Sequence, residues 1–205
     1  MDILEKLFGS AAKVKLIKLF LLNPESTFDV SQAADRAKVS VGVARKEILD
    51  LEKMGFLRPR SYLKEIKKQR DRTIIIAKKR VDGWTLDQKF PYIEAIDSFL
   101  SNVNPFKHRD IIEKISRAGK IQLLIISGIF IKYEEARADL LVVGDNLKLH
   151  TLENIIKTIE SEIGKEIRYA VFETSEFTYR NSVFDKLTRD ILEYPHEKII
   201  NKLGL

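Results

Sequence analysis

Val39-Ser40-Val41-Gly42-Val43-Ala44-Arg45-Lys46-Glu47-Ile48-Leu49-Asp50-Leu51-Glu52-Lys53-Met54-Gly55-Phe56-Leu57 spells a helix with its own start and stop. Ser40 has the short oxygen-bearing side chain that caps a free N–H of a first turn. Ala44, Ile48 and Leu51 recur at i, i+4 and i+7 and so form one apolar stripe. Gly55 supplies the backbone freedom that ends a helix. The other face of the first turns then shows Val41, Gly42, Arg45 and Lys46 to solvent.

Upstream, Asp2 to Phe8 reads as a short helix. Ser10 caps a longer one from Ala11 to Leu22, which Asn23-Pro24 stops. Val30 to Ala37 forms a short helix whose Ala33, Ala34 and Ala37 suit close packing, and a tight connection leads to Ser40. Downstream, strand-like runs cover Phe56 to Ile66 and Arg72 to Lys79, joined through Lys67-Lys68-Gln69-Arg70-Asp71. Val81-Asp82-Gly83 reads as a turn before a third short strand, Trp84 to Leu86. Residues 56–80 hold ten Lys and Arg against two Asp and Glu, which is too many cations for a merely solubilising sheet edge. Phe90-Pro91 opens a helix carrying Tyr92, Ile93, Ile96, Phe99 and Leu100, and the domain joint is expected there and at Asn102-Val103-Asn104-Pro105.

Three helices, a tight second connection and a basic hairpin together resemble a winged helix-turn-helix. The matching positions of the third helix are Ser40, Ala44, Ile48, Leu51 and Gly55. The resemblance implies that this helix enters a DNA major groove, with Ser40 at its start and Val41, Gly42, Arg45 and Lys46 facing the bases. The hairpin, through Lys67, Lys68, Arg70, Arg72 and Lys78, would hold phosphates. Val41, Gly42 and Val43 offer base edges no hydrogen bond, so Arg45 and Lys46 are the polar readers and thymine methyls the apolar targets.

The second half reads as a helix from Lys107 to Ala118 and apolar strands at Ile121 to Phe130 and Asp139 to Val143. A helix at Leu149 to Ile163, a strand at Ile167 to Phe172 and helical pieces from Ser175 and from Ser182 to Leu192 follow. Three stretches carry a second likeness: Leu123 to Phe130 with Ser127-Gly128, Ala138 to Asp145, and Gly164 to Phe172. They resemble the minimal nucleotidyltransferase fold. Active members of that family have a Gly-Ser pair after the first strand, an Asp-x-Asp pair on the second and a third carboxylate on a later strand. Those carboxylates hold the divalent ions of two-metal phosphoryl chemistry. Here the pair is reversed, Arg137 stands for the first Asp, Asp139 is left alone, and Arg168 and Tyr169 occupy the later places. The resemblance therefore implies a retained fold without catalysis. Leu7-Phe8-Gly9-Ser10 matches the Gly-Ser motif literally, but no strand precedes it and no Asp-x-Asp follows; Ser10 reads as a helix cap.

Composition narrows the classes further. The 205 residues include no Cys, which excludes disulfides and thiolate metal sites, and His108, His150 and His196 are scattered, so no metal site is expected. Met1-Asp2-Ile3-Leu4-Glu5 lacks a signal-peptide pattern, and the longest apolar run, Ile121 to Phe130, has about half the length of a membrane span. A soluble, cytoplasmic protein is expected. Net charge is +6, but residues 1–90 carry 20 Lys and Arg against 12 Asp and Glu while residues 91–205 carry 16 against 18. Only the first half suits a polyanion.

The expectation is thus an α+β two-domain protein: a winged helix-turn-helix over 1–90, a linker helix over 91–106, and a nucleotidyltransferase-like α/β domain over 107–205. Its function is that of a DNA-binding transcriptional regulator. The partners are double-stranded DNA, a second copy in a homodimer, and a small-molecule or protein effector at the second domain. No catalytic residue, metal or cofactor is assigned. The alternative is an active nucleotidyltransferase that captures its substrate with the winged helix. Weak base readout by one protomer argues for the dimer, and Tyr92 and Phe99, seven residues apart, make the 90–102 helix its expected surface.

Overall fold

The structure, a computed structural model, describes residues 3–70, 73–101, 108–133 and 135–205, with backbone alone at 66–70, 73–76, 101 and 108. It is a mixed α+β fold that divides into two compact units, Met1–Val103 with Glu160–Lys165, and Asn104–Ile159 with Glu166–Leu205. Among the described residues no helix is long and apolar enough to cross a membrane.

The first unit begins with helices α1 (Ile3–Phe8), α2 (Ala11–Leu21), α3 (Val30–Ala37) and α4 (Val41–Lys53). Each of the last three starts on an oxygen-bearing cap. Ser10 Oγ accepts from the Lys13 N–H at 3.0 Å and Ser40 Oγ from the Val43 N–H at 3.4 Å. Asp29 and Gln32 satisfy each other's backbone in a reciprocal box. Lys38, in the left-handed conformation at φ 52°, turns the chain sharply from α3 into α4. The stripe Ala44, Ile48 and Leu51 is buried against Leu16, Phe20, Ala33 and Ala37 in one core.

Gly55, at φ 78°, releases the chain into a two-stranded antiparallel hairpin, β1 (Leu57–Arg70) and β2 (Thr73–Leu86). The register runs without a break from Leu57 opposite Leu86 to Arg70 opposite Thr73. Here the sequence reading is corrected: Asp82-Gly83 is no turn, and β2 continues through it. Gly83 serves a close approach instead, since a Cβ there would stand 2.8 Å from the Phe28 carbonyl oxygen. Phe28 and Trp84 exchange backbone hydrogen bonds at 3.0 and 2.9 Å, which adds a third short rung to the base of the hairpin. Helix α5 (Ile93–Ser101) is more than a linker: Leu100 is buried in the first unit's core, and Ile93 and Ile96 pack against it.

The second unit opens with α6 (His108–Ile115), a 3-10 turn at Ser116–Ala118, and a four-stranded mixed sheet. Its strands are β3 (Lys120–Ile126), β4 (Leu140–Asp145), β5 (Tyr169–Glu173) and β6 (Glu197–Asn201), in the order β5-β4-β3-β6. β3 is antiparallel to β4 and to β6, whereas β4 and β5 are parallel. Helix α7 (Leu149–Ile163) makes the crossover that a parallel pair requires. Helices α8 (Thr174–Ser182) and α9 (Lys186–Glu193) contribute Phe177 and Ile191 to a core with Leu123, Ile125, Leu141, Val143 and Phe172. Leu124, Ile126, Leu140 and Val142 alternate to the opposite face and are as deeply buried, so both faces are covered. The run Ile121 to Phe130 is strand only to Ile126, and Gly128–Phe130 is a 3-10 turn.

Candidate nucleic-acid interface

Helix α4 carries three acids, and each is drawn inward. Glu47 is buried, accepts from Ser10 Oγ at 2.8 Å and pairs with Lys13 at 3.3 Å; Asp50 pairs with the same lysine at 3.3 Å. Burial alone would lower the Lys13 ammonium, but Glu47 and Asp50 more than offset it and hold it above the usual lysine range. Glu52 accepts from the Trp84 indole N–H at 2.7 Å. What α4 shows to solvent is mainly cationic and apolar: Val41, Gly42, Val43, Arg45, Lys46, Leu49 and Lys53 are all exposed, and Asp50, an acid that keeps a large exposed share, is paired with Lys13. Ser40 is exposed as well, with its hydroxyl oxygen committed to the helix cap. The sequence reading missed Leu49. Its spacing, four residues beyond Arg45 and eight beyond Val41, places it on the same stripe, and it is 43% exposed.

The hairpin is fixed at its root. Lys64 Nζ pairs with Asp29 at 2.5 Å, while the Tyr62 hydroxyl donates to Gln32 Oε1 and lies 3.2 Å from Asp29. Burial alone would raise the Asp29 carboxyl; Lys64, the Gln32 N–H and the Tyr62 hydroxyl together hold it below the ordinary carboxylate value. Lys64 thus belongs to the scaffold. Arg58, Arg60, Lys78, Lys79 and Arg80 are exposed, and none forms an ion pair among the described residues. Register sets Lys78 opposite Glu65, which offsets part of its charge. Lys67, Lys68 and Arg70 lie on β1 opposite Ile76, Ile75 and Thr73; Arg72 lies outside the described residues. Fourteen residues per strand at roughly 3.3 Å each make a rod of about 45 Å, far longer than its rooted base.

In the second unit one buried carboxylate is fully occupied. Asp139 is 3% exposed and accepts from the Ile129 N–H at 3.0 Å, the Arg168 N–H at 2.8 Å, and the Arg168 guanidinium at 3.1 and 3.0 Å. Gly128, at φ 52°, lies under it, where a Cβ would come within 1.8 Å of Asp139 Oδ1. Ser127 Oγ donates to the Pro195 carbonyl at 2.6 Å, and Arg137 Nε reaches Asp190 at 3.2 Å. Among the described residues no group of three or more acidic or imidazole side chains is placed to hold a metal ion.

Comparison of the chain with protein-family models, with curated proteins and with solved structures gives no match.

Proposed function

We propose that this chain is a DNA-binding transcriptional regulator whose first unit is a winged helix-turn-helix. Helix α4 lies in the major groove and the β1–β2 hairpin rests on the backbone beyond it. The observation that carries the reading is the sorting of charge. Every acid of α4 faces a partner inside the unit, while Arg45 and Lys46 on the helix, and Arg58, Arg60, Lys78, Lys79 and Arg80 on the hairpin, face solvent. A structural helix has no need to segregate its charges this way; a surface that meets phosphates does. The tight α3–α4 connection and the Phe28 rung at the hairpin base support the winged-helix architecture.

The second unit is a nucleotidyltransferase-like domain without transfer chemistry. Its antiparallel β3–β4 pair followed by a parallel β5 supports that relationship. The Arg168 guanidinium on Asp139 occupies the carboxylate that metal chemistry would need free. The domain instead pairs two copies, or receives an effector, so that two α4 helices address two half-sites.

Fluorescence anisotropy on a labelled duplex tests the division of labour. Replacing Lys67, Lys68, Arg70 and Arg72 with Ala weakens all sequences alike. Arg45→Ala costs about 1–3 kcal/mol on a preferred site and less on others. Wild-type affinity retained by both variants contradicts the proposed interface.

A further inference from the structure

We propose that the second unit self-associates through the elbow between α8 and α9, with Phe184 of each copy seated in the cleft beside Phe184 of the other. The elbow ends α8 as a tight turn: the Val183 N–H donates to the Tyr179 carbonyl at 3.1 Å, the Phe184 N–H to Asn181 at 3.3 Å and the Asp185 N–H to Arg180 at 3.0 Å. That turn forces its central residue into the left-handed conformation, and Phe184 has φ 54°. Glycine is the usual occupant, because a Cβ crowds the following carbonyl. A phenylalanine adds strain here and buries little of its side chain in return, since it is 77% exposed. Tyr179, Val183 and Leu187 around the same elbow are exposed too. Strain and solvent exposure of a large aromatic thus coincide in one residue. A lone molecule would be better served by glycine, so the side chain finds its use in another molecule.

The patch also indicates which molecule. Asn181, Phe184, Asp185, Arg189, Leu192 and Glu193 line a shallow cleft, and most of the Phe184 side chain stands clear of it in solvent. A surface that carries a knob and a hole side by side is complementary to itself, and a two-fold axis between copies seats each knob in the other's hole. The rim agrees. Arg180 bonds to Glu176 at 2.8 Å and to Asp185 at 3.4 Å, and Arg189 stands 3.7 Å from Glu193. Both signs are present on one rim, which suits a second copy better than a polyanion or an apolar peptide.

The test uses the full chain without DNA, so its outcome is independent of duplex binding. In sedimentation up to about 100 µM the wild type forms a dimer, with stability at that concentration linked to assembly. Phe184→Gly raises the dimer dissociation constant at least about tenfold, and Leu187→Glu, on the exposed rim, weakens it as well. Because glycine suits this backbone, Phe184→Gly keeps its helical circular dichroism, and its Tm, taken at dilutions where the wild type is monomeric, is held or raised. A monomeric wild type across the range, an undiminished dimer in Phe184→Gly, or a Tm lowered at dilution in that variant overturns the proposal.

Discussion

Asp139 receives two main-chain N–H donors and both arms of the Arg168 guanidinium, while Gly128 leaves room for its carboxylate. Removing it strands buried donors as well as a cation. Asp139→Ala should therefore destabilise the chain by about 2–4 kcal/mol in chemical denaturation. Arg168→Ala should cost less, about 1–2 kcal/mol, because the Arg168 side chain is half exposed and its main-chain N–H still serves Asp139. Labelled nucleoside triphosphates with Mg²⁺ or Mn²⁺ should yield no transfer product; product that vanishes on Asp139→Ala while that variant keeps its folded circular dichroism would restore the enzyme reading. On α4, Val41 and Val43 are 49% and 42% exposed beside Arg45. In the proposed major-groove pose such a face would meet thymine methyl groups, so replacing thymine by uracil in a preferred duplex should weaken binding severalfold, and Val41→Ala should erase the difference. Equal affinity for both duplexes would assign Val41 to packing against sugar. The sequence shows Asp139 without a second acid two residues away, but its pairing with Arg168 joins residues 29 positions apart and becomes visible only once β4 and β5 are side by side. Phe184 was equally hidden, because no sequence signal marks a non-glycine residue in a left-handed turn.

At the level of elements, the long hairpin depends on its root. The Asp29 carboxyl is held below its ordinary value by Lys64, Gln32 and Tyr62, against the upward push of burial. A carboxylate lowered in the folded state adds stability that is present above its unfolded value, near pH 4, and is lost as pH falls through the folded one. Amide exchange in β1 and β2 should accordingly rise below about pH 4, and Asp29→Asn should be exchange-prone already at neutral pH. Unchanged exchange in that variant would remove the clamp from the account. Gly83→Ala should also disturb the base, since the new Cβ meets the Phe28 carbonyl. The helix α4, its cap and its stop were legible because Ser40, the apolar stripe and Gly55 are local signals that agree. Strand β2 was misread at Asp82-Gly83 because a glycine required by a neighbour's approach looks the same as one required by a turn. Strand β6 went unread because Glu197-Lys198-Ile199-Ile200-Asn201 is short and mixed, and it becomes a strand only against β3.

For the molecule as a whole, positive charge is concentrated in the first part of the chain. Residues 1–90 carry 20 cations against 12 anions, and residues 91–205 carry 16 against 18. Helix α5 belongs to the first core, because Ile93, Ile96 and Leu100 find partners there. Leu100→Ala should cost about 2–4 kcal/mol, more than a linker residue would. Phe99 remains 44% exposed but already packs against Phe8 with ring centroids 6.4 Å apart. It therefore has a ring partner within one copy, whereas Phe184 is 77% exposed, and Phe99→Glu should leave any dimer in place. The central claim is that the basic face of the first unit binds duplex DNA through its phosphates, and a titration of affinity against salt addresses it most directly. If about six phosphates are neutralised, affinity should fall about a thousandfold between roughly 50 and 200 mM salt, linearly in log–log form. A flat dependence, or no binding at low salt, would contradict it.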